Sequence, residues 1–277
     1  MVFTARIRRT AWLLIVLASS VAGFPQATAQ HARVELLARQ NSVSAGSDLQ
    51  LGVHFILEPG WHIYWVNPGD SGQPPVFKWQ LPAGFSAGEI QWPRPERMQA
   101  TPQLADFGYH HEVLLPVTIH APSSATINSP VEIGVEAKWL ICREVCRPEH
   151  AQLHLTLAVA ASGKEDPRSA PLFARTEKLL PQPMPRGWKA SVRSGKDEFV
   201  LALDTGKRIT KAEFFPLEPG QIDNPAPQKI QPSRSGCRIT LKKSDLLLKP
   251  ITVLRGVLVI PSGAAYRIEA PVRESLQ

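Results

Sequence analysis

Two cysteines separated by three residues carry the most reactive chemistry in this chain. Cys142 and Cys146 lie in KWLICREVCRPEH, residues 138–150. Three chemistries suit such a pair. As a staple it closes a very small loop, and the chain-entropy model credits that with only about 2 kcal/mol. As a metal clamp it could hold a soft ion such as Cu(I), with His62, His110 and His111 as further ligands. Zinc would need two more ligands at recognisable spacing, and nothing nearby supplies them. As a redox centre it needs a thiolate, an accessible sulfur and a resolving partner. Arg143 and Arg147 flank the cysteines and can stabilise a thiolate, while Glu144 and Glu149 oppose that. No helix amino terminus is evident beside the pair, so it differs from a thioredoxin-type site. Exchange fits these residues best; copper binding and a permanent bridge stay open. Cys237, alone in SGCRITL, reads as a small buried strand residue.

The elements that must position the pair are strands. Period-two alternation places Val131, Ile133, Val135, Ala137 and Trp139 on one face of residues 131–141, and Leu153, Leu155, Leu157 and Val159 on one face of 151–159. The cysteines therefore fall at the tip of an antiparallel hairpin, in a loop containing Pro148. Cys142, at the strand end, is expected to be the less exposed sulfur and Cys146 the first to meet a partner. Short alternating runs separated by turns fill the rest of the chain, as in a β-sandwich. One segment, DPRSAPLFARTEKLLPQP, has helical spacing at Leu172, Ala174, Leu179 and Leu180, ending at Pro181. PQPMPRG reads as a linker, and a second, smaller sandwich is expected from Trp188.

Bulk composition agrees. The 277 residues are 43% hydrophobic and 20% charged, with 26 prolines and 18 glycines, which suits short strands joined by turns. Arg6, Arg8 and Arg9 precede the apolar run AWLLIVLASSVAGF. Small residues at Ala27 and Ala29 complete the pattern of a secretory signal peptide cut near Ala29. No later segment is long and apolar enough to cross a membrane. Removing the three arginines from 31 basic residues leaves 28 against 24 acidic ones, too mild and too scattered a balance for nucleic-acid binding. Three cysteines are too few for a disulfide scaffold in an exported chain. The expected division is 1–29 signal peptide, 30–162 cysteine-bearing sandwich, 163–187 helix and linker, and 188–277 second sandwich.

Four motifs in order, GWHIYWVNPGDSGQPP, IQWPRPERM, DFGYHHEVLLPV and WLICREVCRPE, resemble the periplasmic amino-terminal domain of the thiol:disulfide interchange protein DsbD, in its ScsB-like branch. The likeness covers about residues 31–160, with a looser fit in AEFFPLEPGQI. It implies an all-β protein of two immunoglobulin-like sandwiches in the periplasm, and a protein-disulfide reductase activity needing no organic cofactor. Cys142 and Cys146 would be the exchange centre. They would receive electrons from a membrane donor and pass them to periplasmic thioredoxin-fold proteins, such as disulfide isomerases and cytochrome c maturation factors. With the chain ending at Gln277, that DsbD-type donor is expected to be a separate protein. The resemblance also places Asp106, Phe107 and Tyr109 on a loop that caps the cysteines; core packing is the alternative for Phe107 and Tyr109. It puts Trp61, Tyr64 and Trp65 in a family motif, read as packing, with Tyr64 the nearest to the site. A periplasmic copper-handling or protein-interaction module using the same cysteines is the alternative. On the exchange reading no residue is assigned as a metal ligand.

Overall fold

A computed structural model describes residues 26–126 and 129–274. Most of the expected signal peptide, including Arg6, Arg8 and Arg9, lies outside the described residues. Gln26–Thr28 form a strand. The first unit contains β1 (Gln26–Thr28), β2 (Ala32–Ala38), β3 (Ser42–Val43), β4 (Asp48–Leu57), β5 (His62–Gly69) and β6 (Val76–Gln80). It continues with β7 (Ser86–Ile90), β8 (Glu96–Thr101), β9 (Leu104–His110), β10 (Glu112–His120), β11 (Pro130–Cys142) and β12 (Cys146–Val159). One sheet runs β1-β2-β4-β10-β7; the facing sheet runs β3-β12-β11-β5-β9-β8, with β6 also paired to β11. Between them lies one core, with Val53, Phe55 and Val117 from the first sheet and Ile133, Val135 and Trp65 from the second.

The hairpin of β11 and β12 is longer than its expected limits. Thirteen residue pairs run without a break from Pro130↔Ala158 to Cys142↔Cys146. Pro148 therefore lies inside a strand, opposite Leu140, and not in a loop. Proline is tolerated there because β12 meets another strand only at its far end, where Ala158 and Val159 pair with β3. The connecting turn shrinks to Arg143, Glu144 and Val145.

The helix α1 (Ala170–Glu177) starts with Pro171 in its first turn and is shorter than its helical pattern. Its buried face is Ala170, Phe173 and Thr176, with Phe173 packed among Leu37 and Leu114. Ala174 is exposed, and Leu179 and Leu180 lie beyond the helix end. The aromatic ring, as the largest apolar surface available, sets the face.

The second unit contains β13 (Gln182–Pro183), β14 (Lys189–Ser194), β15 (Glu198–Asp204), β16 (Glu213–Pro216), β17 (Lys229–Pro232), β18 (Gly236–Lys242), β19 (Val253–Val259) and β20 (Ala265–Glu274). β20 passes from one layer to the other: Ala265–Pro271 pair with β19, and Val272–Glu274 pair parallel with β14. The two layers enclose a core that includes Phe214, Leu254 and Ile268 on one side and Phe199, Leu201 and Ile239 on the other. The fold is thus all-β, two immunoglobulin-like sandwiches with one short helix between them. The linker is tied down, since β13 pairs with β20.

The sandwiches also share a core contact. Phe215 on β16 makes edge contacts with Phe107 at 5.2 Å and Trp65 at 6.3 Å between ring centres. Beside it the buried Asn67 donates from Nδ2 to the Pro216 carbonyl at 2.8 Å.

Candidate functional site

The cysteines close the long hairpin. Cys142 and Cys146 are the last register pair, with Cα atoms 4.1 Å apart and a disulfide between them. Cys142 is 2% exposed, whereas Cys146 is an exposed residue. The two sulfurs of one bond thus face different surroundings.

Strand alternation decides what meets them. Trp61 just before β5, and Ile63 and Trp65 on it, belong to the sandwich core, so His62 and Tyr64 point the other way. Ile141 likewise faces the core and Cys142 faces away from it. His62 is the direct partner of Cys142 across the β5–β11 pairing. Two residues on, the Tyr64 hydroxyl donates to Cys142 Sγ at 2.9 Å and lies 3.6 Å from Cys146 Sγ. Burial holds the Tyr64 phenol above its usual pKa, so it stays a proton donor.

The same parity corrects the expected cap. Asp106, Phe107 and Tyr109 belong to strand β9 and not to a loop. Phe107 and Tyr109 face the core: Phe107 rests on Phe215, and the Tyr109 hydroxyl donates to the Pro93 carbonyl at 2.8 Å. Complete burial pushes the Tyr109 phenol well above its usual range. Only Asp106 turns to the other face. Its carboxylate accepts from the Ser71 backbone N–H at 2.9 Å and from the Ser71 hydroxyl at 2.7 Å.

That pair of bonds holds the segment that does cover the site. After β5 the chain turns through Asp70, Ser71 and Gly72, and Gly72 lies flat against the Tyr64 ring. A methyl group on Gly72 would sit 2.1 Å from Tyr64 Cζ, and its φ of +79° suits glycine alone. Tyr64 is 1% exposed as a result. Gly72 and Ser71 are site residues that the sequence reading passed over. Their signal was present, since NPGDSGQPP concentrates turn residues directly after the Tyr64 strand.

The flanking cations are engaged elsewhere. Arg143 stacks over Trp61 at 5.4 Å, and His31 stacks on Trp61 at 3.7 Å. Arg147 Nη1 donates to Gln30 Oε1 at 3.0 Å. The expectation that these guanidiniums stabilise a thiolate has no such contact behind it in the disulfide form. Glu144 is exposed, and burial raises the pKa of Glu149.

His62 is the nearest further titratable ring. Its centre lies 5.3 Å from that of Tyr64 and 5.6 Å from that of His110. Burial, reinforced by His110, lowers its pKa, and its Nε2 is buried without a hydrogen-bond partner. His111, at the β9–β10 turn, has its ring 6.2 Å from that of His110. Among the described residues, no three His, Cys, Asp or Glu side chains gather as a metal-ion site. Cys237 lies inside β18, 1% exposed, and burial pushes its thiol pKa up.

The first sandwich thus carries an asymmetric disulfide at a hairpin tip, closed by a tyrosine. Residues 33–158 match the family model of the amino-terminal domain of the thiol:disulfide interchange protein DsbD. Both sandwiches together resemble the crystal structure of the N-terminal periplasmic domain of ScsB from Proteus mirabilis. The identity is 16% and the TM-score 0.68, over 90% of this chain and 98% of that one. A much weaker likeness, TM-score 0.28 at 11% identity, is to the yeast GGA1 GAE domain, over 47% of this chain and 94% of that one. No curated protein sequence matches the chain. Among the described residues no helix is long and apolar enough to cross a membrane.

Proposed function

We propose that this protein exchanges disulfides in the periplasm through Cys142 and Cys146, as a protein-disulfide reductase. It relays electrons from a DsbD-type membrane donor to periplasmic thioredoxin-fold proteins. The carrying observation is the asymmetry of the bond: an exposed residue, Cys146, bonded to a buried one, Cys142, whose Sγ lies under the Tyr64 hydroxyl.

The chemistry follows from that asymmetry. A donor thiolate attacks Cys146 Sγ, forming a mixed disulfide and breaking the Cys142–Cys146 bond. The electron pair leaves on Cys142 Sγ, where the Tyr64 hydroxyl already points and stabilises the thiolate. A second donor thiolate then attacks the mixed disulfide at the donor's own sulfur and releases Cys146. The donor leaves as a disulfide and this protein as a dithiol, with two electrons transferred. Toward an oxidised acceptor the steps reverse: Cys146 attacks and Cys142 resolves. The sulfurs carry the electrons, so an organic cofactor has no task in this sequence.

Trapping tests the reading. With Cys142→Ala, Cys146 has no resolving partner and should accumulate as a mixed disulfide with a thioredoxin-fold protein in envelope extracts. Cys146→Ala should trap far less. Failure of both variants to capture any thiol protein would remove the relay.

A further inference from the structure

The loop that covers Tyr64 is fastened from two sides, and one of them is the other sandwich. Asn224, 3% exposed, lies between β16 and β17 in the second unit. Its Nδ2 donates to Asp70 Oδ1 at 2.8 Å. Asp70 is held on its own side as well: Oδ2 accepts from Ala105 N–H at 2.8 Å, and its N–H donates to the Ala105 carbonyl at 3.1 Å. Arg97 on β8 fixes Asn224 in turn. Its Nη1 donates to the Asn224 carbonyl, and its Nε donates to Glu213 Oε1 at 2.6 Å. The same guanidinium lies 5.4 Å from the Phe107 ring centre and 6.0 Å from that of Phe215, at the seam between the sandwiches.

From Asp70 the connection to sulfur takes two residues. Ser71 is bonded to Asp106, and Gly72 presses on the Tyr64 ring, whose hydroxyl rests on Cys142 Sγ. Asn224 is 3% exposed, and Asp70 is the partner of its amide. An amide left unpaired there costs more than a surface bond would. The second sandwich therefore holds the cover in place across the seam.

We propose that the second sandwich is the clamp of the redox centre, with Asn224 as the positioning residue that keeps Asp70–Gly72 closed over Tyr64, so that the Tyr64 hydroxyl stays on Cys142 Sγ and favours opening of the Cys142–Cys146 bond. This rests on the reading that the pair undergoes exchange, and it adds a control on that exchange.

The test uses the full chain and dithiothreitol, which reduces the bond without any protein partner. One dithiothreitol becomes a cyclic disulfide as Cys142 and Cys146 become thiols, so the reaction balances. Asn224→Ala should slow this reduction by about fivefold, the equivalent of one net hydrogen bond. Asp70→Ala removes that bond and the one from Ala105 N–H as well, should slow the reduction at least as much, and replaces Asn224→Ala if the latter does not fold. The exchanged pair Asp70→Asn with Asn224→Asp puts an amide at 70 against a carboxylate at 224 and should bring the rate back toward the wild-type value. A merely structural role would lower the denaturation midpoint without this restoration of rate. An unchanged reduction rate in the single variants, or an exchanged pair that folds yet stays slow, overturns the clamp. A failed trapping experiment would sink the relay and leave these rates as they are.

Discussion

The molecule contains two cysteine environments on similar β scaffolds, one holding a free thiol and the other a disulfide. Cys237 occupies a strand interior, is 1% exposed, and has its thiol pKa raised by burial alone. Cys142 is buried to a similar degree, yet it is bonded to an exposed sulfur and sits under a hydroxyl donor. Burial by itself makes a thiol inert. Burial combined with an exposed bonded neighbour and a fixed donor makes a leaving group. The position of a cysteine along a strand therefore matters more here than the fold around it.

The strongest way to break this contrast is to remove the sulfurs. Replacing Cys142 and Cys146 together with serine should abolish exchange altogether and lower unfolding free energy by about 2 kcal/mol, measured by denaturant titration. Cys237→Ala should leave exchange untouched. Next in size is Gly72→Ala. Its methyl group collides with Tyr64 and its backbone is held at positive φ, so a loss of about 3 kcal/mol in stability is expected. Tyr64→Phe sharpens the comparison directly. Without the hydroxyl, the Cys142 thiol in the reduced protein should titrate about one pH unit higher, read by the pH dependence of iodoacetamide labelling.

The smallest effect concerns His62. Its folded pKa lies below the ordinary 6.5, so the unfolded chain takes up the proton first as pH falls. Its contribution to stability is present above pH 6.5 and is lost as pH drops through the folded value. Glu149 has a raised pKa and acts in the opposite sense. The difference between wild type and His62→Gln, in denaturation midpoints at pH 7.5 and 5.5, isolates the histidine. A slope that survives the substitution would assign it elsewhere.

Much of this was legible in the sequence. Alternation from Val131 to Trp139 gave the buried face of the hairpin, and its turn-rich spacing gave two sandwiches. The strands ran on to the cysteines because Ile141 continues the pattern, which Pro148 had seemed to interrupt. Phe107 and Tyr109 take the core alternative for a physical reason: neighbours on a strand point to opposite faces, so Asp106 at the site sends Phe107 into the core. Arg143 and Arg147 sit beside the sulfurs in sequence, but a flat indole and a glutamine side chain hold them. The Asp70–Asn224 bond joins residues 154 positions apart, and no local pattern announces such a contact.

The crossing strand β20 has one more implication, for assembly. It joins β13, β14 and β19, with Val272 alongside Val192. Such a long-range parallel pairing forms late. A chain delivered amino end first completes its cysteine hairpin while the second sandwich still awaits its tie. During that interval Asn224 has no fixed position, and oxidants reach Cys142 most easily. Thiol trapping at successive times of refolding would show bridge formation preceding closure of the seam.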